Sequence, residues 1–152
     1  MRLREITEAD YPVLFAMQNH AELHWQAAFS THRTAEQSAA HLDRIRSLAD
    51  TIILGIEVDG HLIGNIGKWV MGDEPELMYW IDPAHQRKGY ATAAVDLFLR
   101  EFEPRPFFAH VVSDNLASIK VLEKHGFIKF EEITSHSDVR NAEVQEFGLR
   151  LD

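Results

Sequence analysis

The stretch Tyr79-Trp80-Ile81-Asp82-Pro83-Ala84-His85-Gln86-Arg87-Lys88-Gly89-Tyr90-Ala91 decides the reading of this chain. It passes from aromatic and apolar strand residues through a Pro-marked turn into a loop holding Gly89, and a long amphipathic helix follows at once. A loop of this kind, opening a helix, points several backbone N–H groups and the positive helix end at one spot, which suits a phosphate or diphosphate. Gly89 lets backbone approach such a group closely, and Ala91 is too small to block it. Alone, Gly89 also fits a plain turn before an ordinary helix.

Downstream, Asn115-Leu116-Ala117-Ser118-Ile119-Lys120-Val121-Leu122-Glu123-Lys124-His125-Gly126-Phe127 forms an Asn-x-x-Ser helix closed by Gly-Phe. The spacing Gln/Arg-x-x-Gly-x-Gly/Ala in the first stretch, followed by this second motif, resembles the coenzyme-binding signatures of the GNAT superfamily of acyl-CoA-dependent N-acyltransferases. Two short motifs in the right order, about one strand and one helix apart, are more specific than either alone. The resemblance spans essentially the whole chain. It is closest to the branch that acetylates protein N-termini, ribosomal proteins among them, and various small amines. Two positions depart from the usual pattern: Arg87 stands where Gly is frequent, and Leu122 stands where many members carry a Tyr.

At 152 residues the chain is read as one domain, residues 1–152, with room for a real core. With 45% hydrophobic and 26% charged residues, neither disorder nor a membrane protein is favoured. No apolar run approaches the roughly 20 residues of a spanning helix, and the first residues lack an apolar signal core. Cysteine is absent, which removes disulfides, thiolate nucleophiles and Cys-ligated zinc together. A cytoplasmic enzyme, monomeric or homodimeric, is the expectation. A net charge of −9 disfavours nucleic acid as a ligand and favours a cationic acceptor. Arg87, Lys88, Lys120 and Lys124 place positive charge beside the two motifs, where a solvated face is the plainer alternative.

The rest of the chain supplies the scaffold. Met1 to Ile6 reads as a short strand; Thr7 or Asp10 caps a helix with Pro12 in its first turn. A loop containing Trp25 and Phe29 follows. Thr34-Ala35-Glu36-Gln37 is a capping box, and Ala39, Leu42, Ile45 and Ala49 recur at helical spacing behind it. From Thr51 the period becomes two, with Asp59-Gly60 suited to a tight hairpin and a second turn around Gly72 to Pro75. Ala91, Val95, Phe98 and Phe102 mark one core face of the next helix. Phe107 to Val112 is a short apolar strand, and Phe127 to Ile133 and Glu143 to Leu151 are terminal antiparallel strands. The expected fold is an α/β (α+β) domain resembling GNAT proteins: a mixed, mostly antiparallel seven-stranded sheet with about four helices, in the order β-α-α-β-β-β-α-β-α-β-β.

The resemblance implies acetyl-CoA as cofactor, held by Trp80, Ile81, Gln86, Arg87, Lys88, Gly89, Tyr90, Ala91 and Thr92, with Asn115 and Ser118 from the second motif. It also implies that the fourth and fifth strands splay apart and that the backbone amide of Ile81 polarises the thioester carbonyl. The implied reaction moves an acetyl group to a primary amine, on a protein N-terminus or a small molecule, by direct attack in a ternary complex. A non-catalytic acyl-CoA-binding regulatory protein of the same fold is the alternative. Asn115 also fits a bare helix cap.

Glu76 is the candidate base, against the plainer reading of a solvated strand end. The general acid stays open, with Tyr79 and Tyr90 close in sequence. Glu22, Trp25 and Phe29 are candidate acceptor contacts, and they equally suit packing. His110 reads as a core residue with satisfied nitrogens in preference to a titrating group. His20 and His24 lie at i, i+4 without the glutamate that a zincin motif needs, so no metal is expected.

Overall fold

The computed structural model describes residues 1–29, 33–102 and 105–152. Its elements are β1 (Arg2–Glu5), α1 (Tyr11–Gln18), α2 (Ala21–Ala27), α3 (Ala35–Arg46), β2 (Ile52–Val58), β3 (His61–Met71), β4 (Glu74–Ile81), α4 (Tyr90–Glu101), β5 (Phe107–Val112), α5 (Leu116–Lys124), β6 (Ile128–Ser137) and β7 (Ala142–Leu151). Short 3₁₀ turns at Glu8–Asp10 and Pro83–His85 precede α1 and α4.

The seven strands form one sheet in the order β1-β2-β3-β4-β5-β7-β6. Every neighbouring pair is antiparallel except β4 with β5, which run parallel and meet at a single register pair, Glu76 with Phe108. The hairpin between β2 and β3 turns at Asp59-Gly60, both with positive φ, as that pair requires.

Alternation along the strands divides the apolar residues between two layers. On one face, Ile56, Ile66, Leu77, Ile81, Ala109 and Val111 pack with Ala94, Val95 and Phe98 of α4 and Ile119 and Leu122 of α5. On the other, Leu14 and Met17 of α1, Leu23 of α2 and Leu42 and Ile45 of α3 form a second cluster, with Trp69 and Trp80 against it.

Two expectations need correction. Residues 21–27, read as loop, form the helix α2, so the described chain has five α-helices. A two-turn helix shows too few repeats for periodicity to reveal it. Its ends are nonetheless marked: the His20 side chain accepts from Glu22 N–H, and Ala28 closes it at φ 53°. The second is β6, which runs beyond Ile133 to Ser137, because the polar residues there pair with β7 down to Ala142.

The entry to α1 is fixed electrostatically. Arg4 Nη1 and Nη2 donate to Asp10 at 2.8 and 2.9 Å, and Arg4 Nε donates to Glu57 at 2.5 Å. Asp10 is 8% exposed and also accepts from Thr7 N–H at 2.8 Å. The Arg4 hydrogen bonds hold the Asp10 carboxyl down at about 2. A depressed carboxylate stabilises the fold above its unfolded pKa, and that stability is lost as pH falls through the folded value. Asp10→Asn is therefore expected to lower unfolding free energy by about 1–2 kcal/mol at pH 7. Urea melts should show its difference from wild type closing between about pH 4 and pH 2.

Candidate active site

The site begins where the sheet fails to close. β4 pairs with β3 along its whole length, from Glu74 opposite Met71 to Ile81 opposite Gly64, and β5 pairs with β7 from Phe107 to Val112. Beyond Glu76 the two ladders diverge, and a cleft of about 560 Å³ opens between them. Asp82 N–H donates to Ile63 O at 2.8 Å, towards β3. By the alternation of a strand, the peptide groups of Ile81 and Tyr79 face the opposite way, into the cleft. Ile81 O accepts from Gln86 Nε2 at 3.1 Å.

At the mouth of this wedge the loop presents the start of α4. Gly89 is its N-cap at φ 80°, and no side chain caps the helix. The first intrahelical bond is Ala93 N–H to Gly89 O, so the N–H groups of the first turn, Tyr90, Ala91 and Thr92, have no helical acceptor and line the cleft. A Cβ built on Gly89 would meet nothing within 4 Å; the requirement there is the left-handed backbone, and the space beside it is open. Arg87 shares this conformation at φ 60°. That explains the glycine frequent at this position in the resembling proteins: Arg87 occupies a glycine conformation at a cost of roughly 1–2 kcal/mol. The pair of left-handed residues and the uncapped helix end form a concave set of donors suited to a diphosphate.

Asn115 does cap α5, its Oδ1 accepting from Ser118 N–H at 3.2 Å. Ser118 is then turned across the wedge, where its Oγ lies 2.6 Å from Tyr79 Oη. Burial pushes the Tyr79 phenol up to about 12 against the opposing effect of that bond, so it is protonated at neutral pH. Leu122 is in the cleft wall and the core at 2% exposure, and supplies no proton.

Glu76 is no solvated strand end. Its Oε1 lies 2.5 Å from His110 Nδ1, and His110 Nε2 lies 3.0 Å from Glu131 Oε1. His110 has both ring nitrogens satisfied, as expected, but by two carboxylates and in the cleft lining, not in the core. Burial lowers the affinity of the ring for a proton, but Glu131 and Glu76 together reverse this, and the pKa of His110 stands raised.

The structure gathers Trp80, Ile81, Gln86, Arg87, Gly89, Tyr90, Ala91, Thr92, Asn115 and Ser118 around one cleft, with Glu76 at its far end. Lys88 is turned away, its Nζ donating to Ala84 O. Glu22, Trp25 and Phe29 lie outside the cleft, because α2 turns Leu23, Gln26 and Ala27 towards it instead. Trp25 is 56% exposed under the Arg140 guanidinium, and Arg140 also pairs with Asp114. Gln26 and Gln86 exchange two amide hydrogen bonds at 3.1 Å, tying α2 to the loop. His20 caps α2 and His24 Nε2 contacts Gln18 O. Among the described residues no cluster suits a metal.

A family model described as an acetyltransferase (GNAT) domain matches residues 1–128. A search of curated proteins by sequence finds no significant match. Among solved structures, spermidine N-acetyltransferase from Vibrio cholerae, in complex with CoA and spermine, superposes with a TM-score of 0.87 at 14% identity, covering 99% of this chain and 94% of that one. Ribosomal-protein-alanine N-acetyltransferase from Brucella melitensis gives 0.85 at 20% identity over 99% of both chains. A GNAT superfamily phosphinothricin acetyltransferase from Sinorhizobium meliloti, in complex with acetyl-CoA, gives 0.85 at 14% identity over 99% and 86%. These likenesses show the fold.

Replacing Gly89 by Val forces a β-branched residue to φ 80° or rearranges the loop. Calorimetry with coenzyme A is expected to show affinity reduced by about tenfold or more, with circular dichroism of the native fold retained.

Proposed function

The chain belongs to the GNAT acetyltransferase family, and on that premise we infer that it transfers an acetyl group from acetyl-CoA to the primary amine of a cationic small molecule or a peptide N-terminus. The observation carrying this reading is the single-point contact of β4 with β5. It leaves strand peptide groups free beside an uncapped helix end, which together fit an elongated, diphosphate-bearing coenzyme. Acetyl-CoA supplies an acetyl group activated as a thioester.

The chain's own groups divide the remaining work between the two faces of the sheet. The amides of the first turn of α4, aided by the charge of Arg87, hold the diphosphate. The Ile81 N–H is the donor placed to polarise a carbonyl lying in the wedge. An amine acceptor arrives as an ammonium and must lose a proton before its nitrogen can attack. Glu76, on the face covered by α2, takes that proton, directly or through one water. Tyr79 Oη, on the face of α4 and α5, gives a proton to the departing sulfur, with Ser118 holding the phenol in place. This assigns the acid role left vacant at Leu122 to a neighbouring strand.

Carboxylates stand on the acceptor's face of the sheet: Glu76 lines the far end of the cleft and Glu146 lines it from β7 opposite Val112, while Arg87 belongs to the loop before α4. A cationic amine is attracted to the carboxylates and repelled from Arg87, so donor and acceptor approach from different sides. Leu23, Gln26 and Ala27 of α2 form the wall the acceptor passes.

Calorimetry comparing acetyl-CoA, CoA and ATP tests the donor site; binding of ATP without CoA would overturn the reading. Thiol release over polyamines, amino acids, aminoglycosides and N-terminal peptides tests transfer. Tight acetyl-CoA binding with no turnover across that panel would favour a regulatory acyl-CoA sensor. With an acceptor in hand, Tyr79→Phe and Glu76→Gln are each expected to lower kcat by about 100-fold. Acetyl-CoA affinity should change by less than about threefold in either variant, a split that assigns both groups to the chemical step.

A further inference from the structure

We propose that Glu131 is a positioning residue for acetyl transfer: reaching over Gly148 from two strands away, it holds His110 as an imidazolium that in turn fixes Glu76 in the cleft. The proposal rests on the reading of Glu76 as the base.

The geometry is a row across four strands. His110 on β5 is opposite Gly148 on β7, and Gly148 is opposite Glu131 on β6. A Cβ on residue 148 would lie 2.5 Å from Glu131 Cγ and 2.8 Å from its Oε1. The glycine therefore leaves the gap through which the edge-strand carboxylate reaches a ring one strand further in. Register slips by one residue between Lys129 and Glu131, which aligns Glu131 with this gap.

Each ring nitrogen of His110 faces a carboxylate oxygen, at 2.5 and 3.0 Å. Two acceptors at once require a proton on both nitrogens, which is the charged form of the ring. The ionisable groups on its face of the sheet are Glu76 from β4, Glu131 from β6 and, two residues either side of Gly148 on β7, Glu146 and Arg150. Glu146 is engaged with Ser135 Oγ at 3.2 Å. The helix α2, packed over β5, presents the uncharged Leu23, Gln26 and Ala27 to the cleft. Arg150 pairs with Asp152, and the two carboxylates in contact with the ring, Glu131 and Glu76, favour the imidazolium. Its contact with Glu76 orients one carboxylate oxygen and leaves Oε2 for the acceptor's ammonium proton.

A raised histidine pKa means the charged form persists to higher pH than usual and is lost as pH rises through the folded value. Loss of the charge would release Glu76 and produce an alkaline fall in kcat belonging to His110. Glu131→Gln removes the negative charge on the solvent side, and Gly148→Ala keeps the carboxylate but closes its path. Both should move this alkaline limb to lower pH and lower kcat on the alkaline side by about tenfold, with KM for acetyl-CoA unchanged.

His110 ring titration by NMR on the free protein gives a reading independent of any acceptor. It should shift the same way in both variants, and a charge-preserving Glu131→Asp should recover part of the shift. Titration of His110 at the same pH in wild type and Glu131→Gln would overturn the proposal. So would an unmoved alkaline limb in both variants while Glu76→Gln remains crippled. Full activity in Glu76→Gln would instead overturn the base assignment.

Discussion

One missing hydrogen-bond ladder governs the molecule. β4 is committed along its full length to β3, and β5 to β7, and the two strands that should join these halves touch only at Glu76 and Phe108. Peptide groups in a buried sheet are rarely left without partners, because each orphan costs about as much as a lost hydrogen bond. Here the fold leaves those of Tyr79 and Ile81 facing a cleft, and covers only Ile81 O, with the Gln86 amide. The same deficit recurs at the first turn of α4, where Gly89 offers no capping side chain. The donors a stable scaffold would satisfy internally are held open for a ligand.

The gap also joins the two faces of the sheet. Odd-numbered residues of β4, among them Tyr79 and Ile81, face α4 and α5, whereas Glu76 and Trp80 face the side of α1 to α3. In a closed sheet, groups on opposite faces are separated by a layer of backbone. In a splayed one they address the same space. Tyr79 with Ser118 and Glu76 with His110 thus line one cleft because β5 has turned aside, as the proposed roles of Tyr79 as acid and Glu76 as base require.

Local features of the site were legible in the sequence, and lateral ones were not. Gly89, the helix behind it, the Asn115 cap and the meander depend on residues a few positions apart, where turn chemistry and periodicity act directly. Arg87 looked like a departure from a pattern until its φ showed which conformation the pattern protects. His110 could be seen as a histidine on an apolar strand, but its two carboxylates come from positions 76 and 131, and only strand order and register bring them together. Glu131 could not be found from sequence: its position two strands away and the role of Gly148 depend on a register slip in a pairing that no local signal specifies. The helix α2 was hidden for a related reason. Seven residues are too few to be helical on propensity alone, and its stability comes from buried Leu23 and from Ser137 and Arg140 of the terminal hairpin, far along the chain.

That dependence separates the two ends of the cleft. The donor end is built from backbone amides and a helix terminus, so apart from the left-handed position of Gly89 it depends little on which side chains surround it. The acceptor end proposed above is built from side chains on α2, β5 and the β6–β7 hairpin, held by contacts such as Arg140 to Trp25 O and Gln26 to Gln86. A change at Arg140 reshapes the acceptor wall without touching the diphosphate cradle, whereas the Gln26–Gln86 pair links the two. Structures at 14–20% identity can therefore share this fold almost end to end while carrying names that refer to different acceptors. On the proposed reading the acceptor is constrained by what that wall contains: the uncharged Leu23, Gln26 and Ala27 of α2 on one side, carboxylates on the sheet below, and a histidine between two of them.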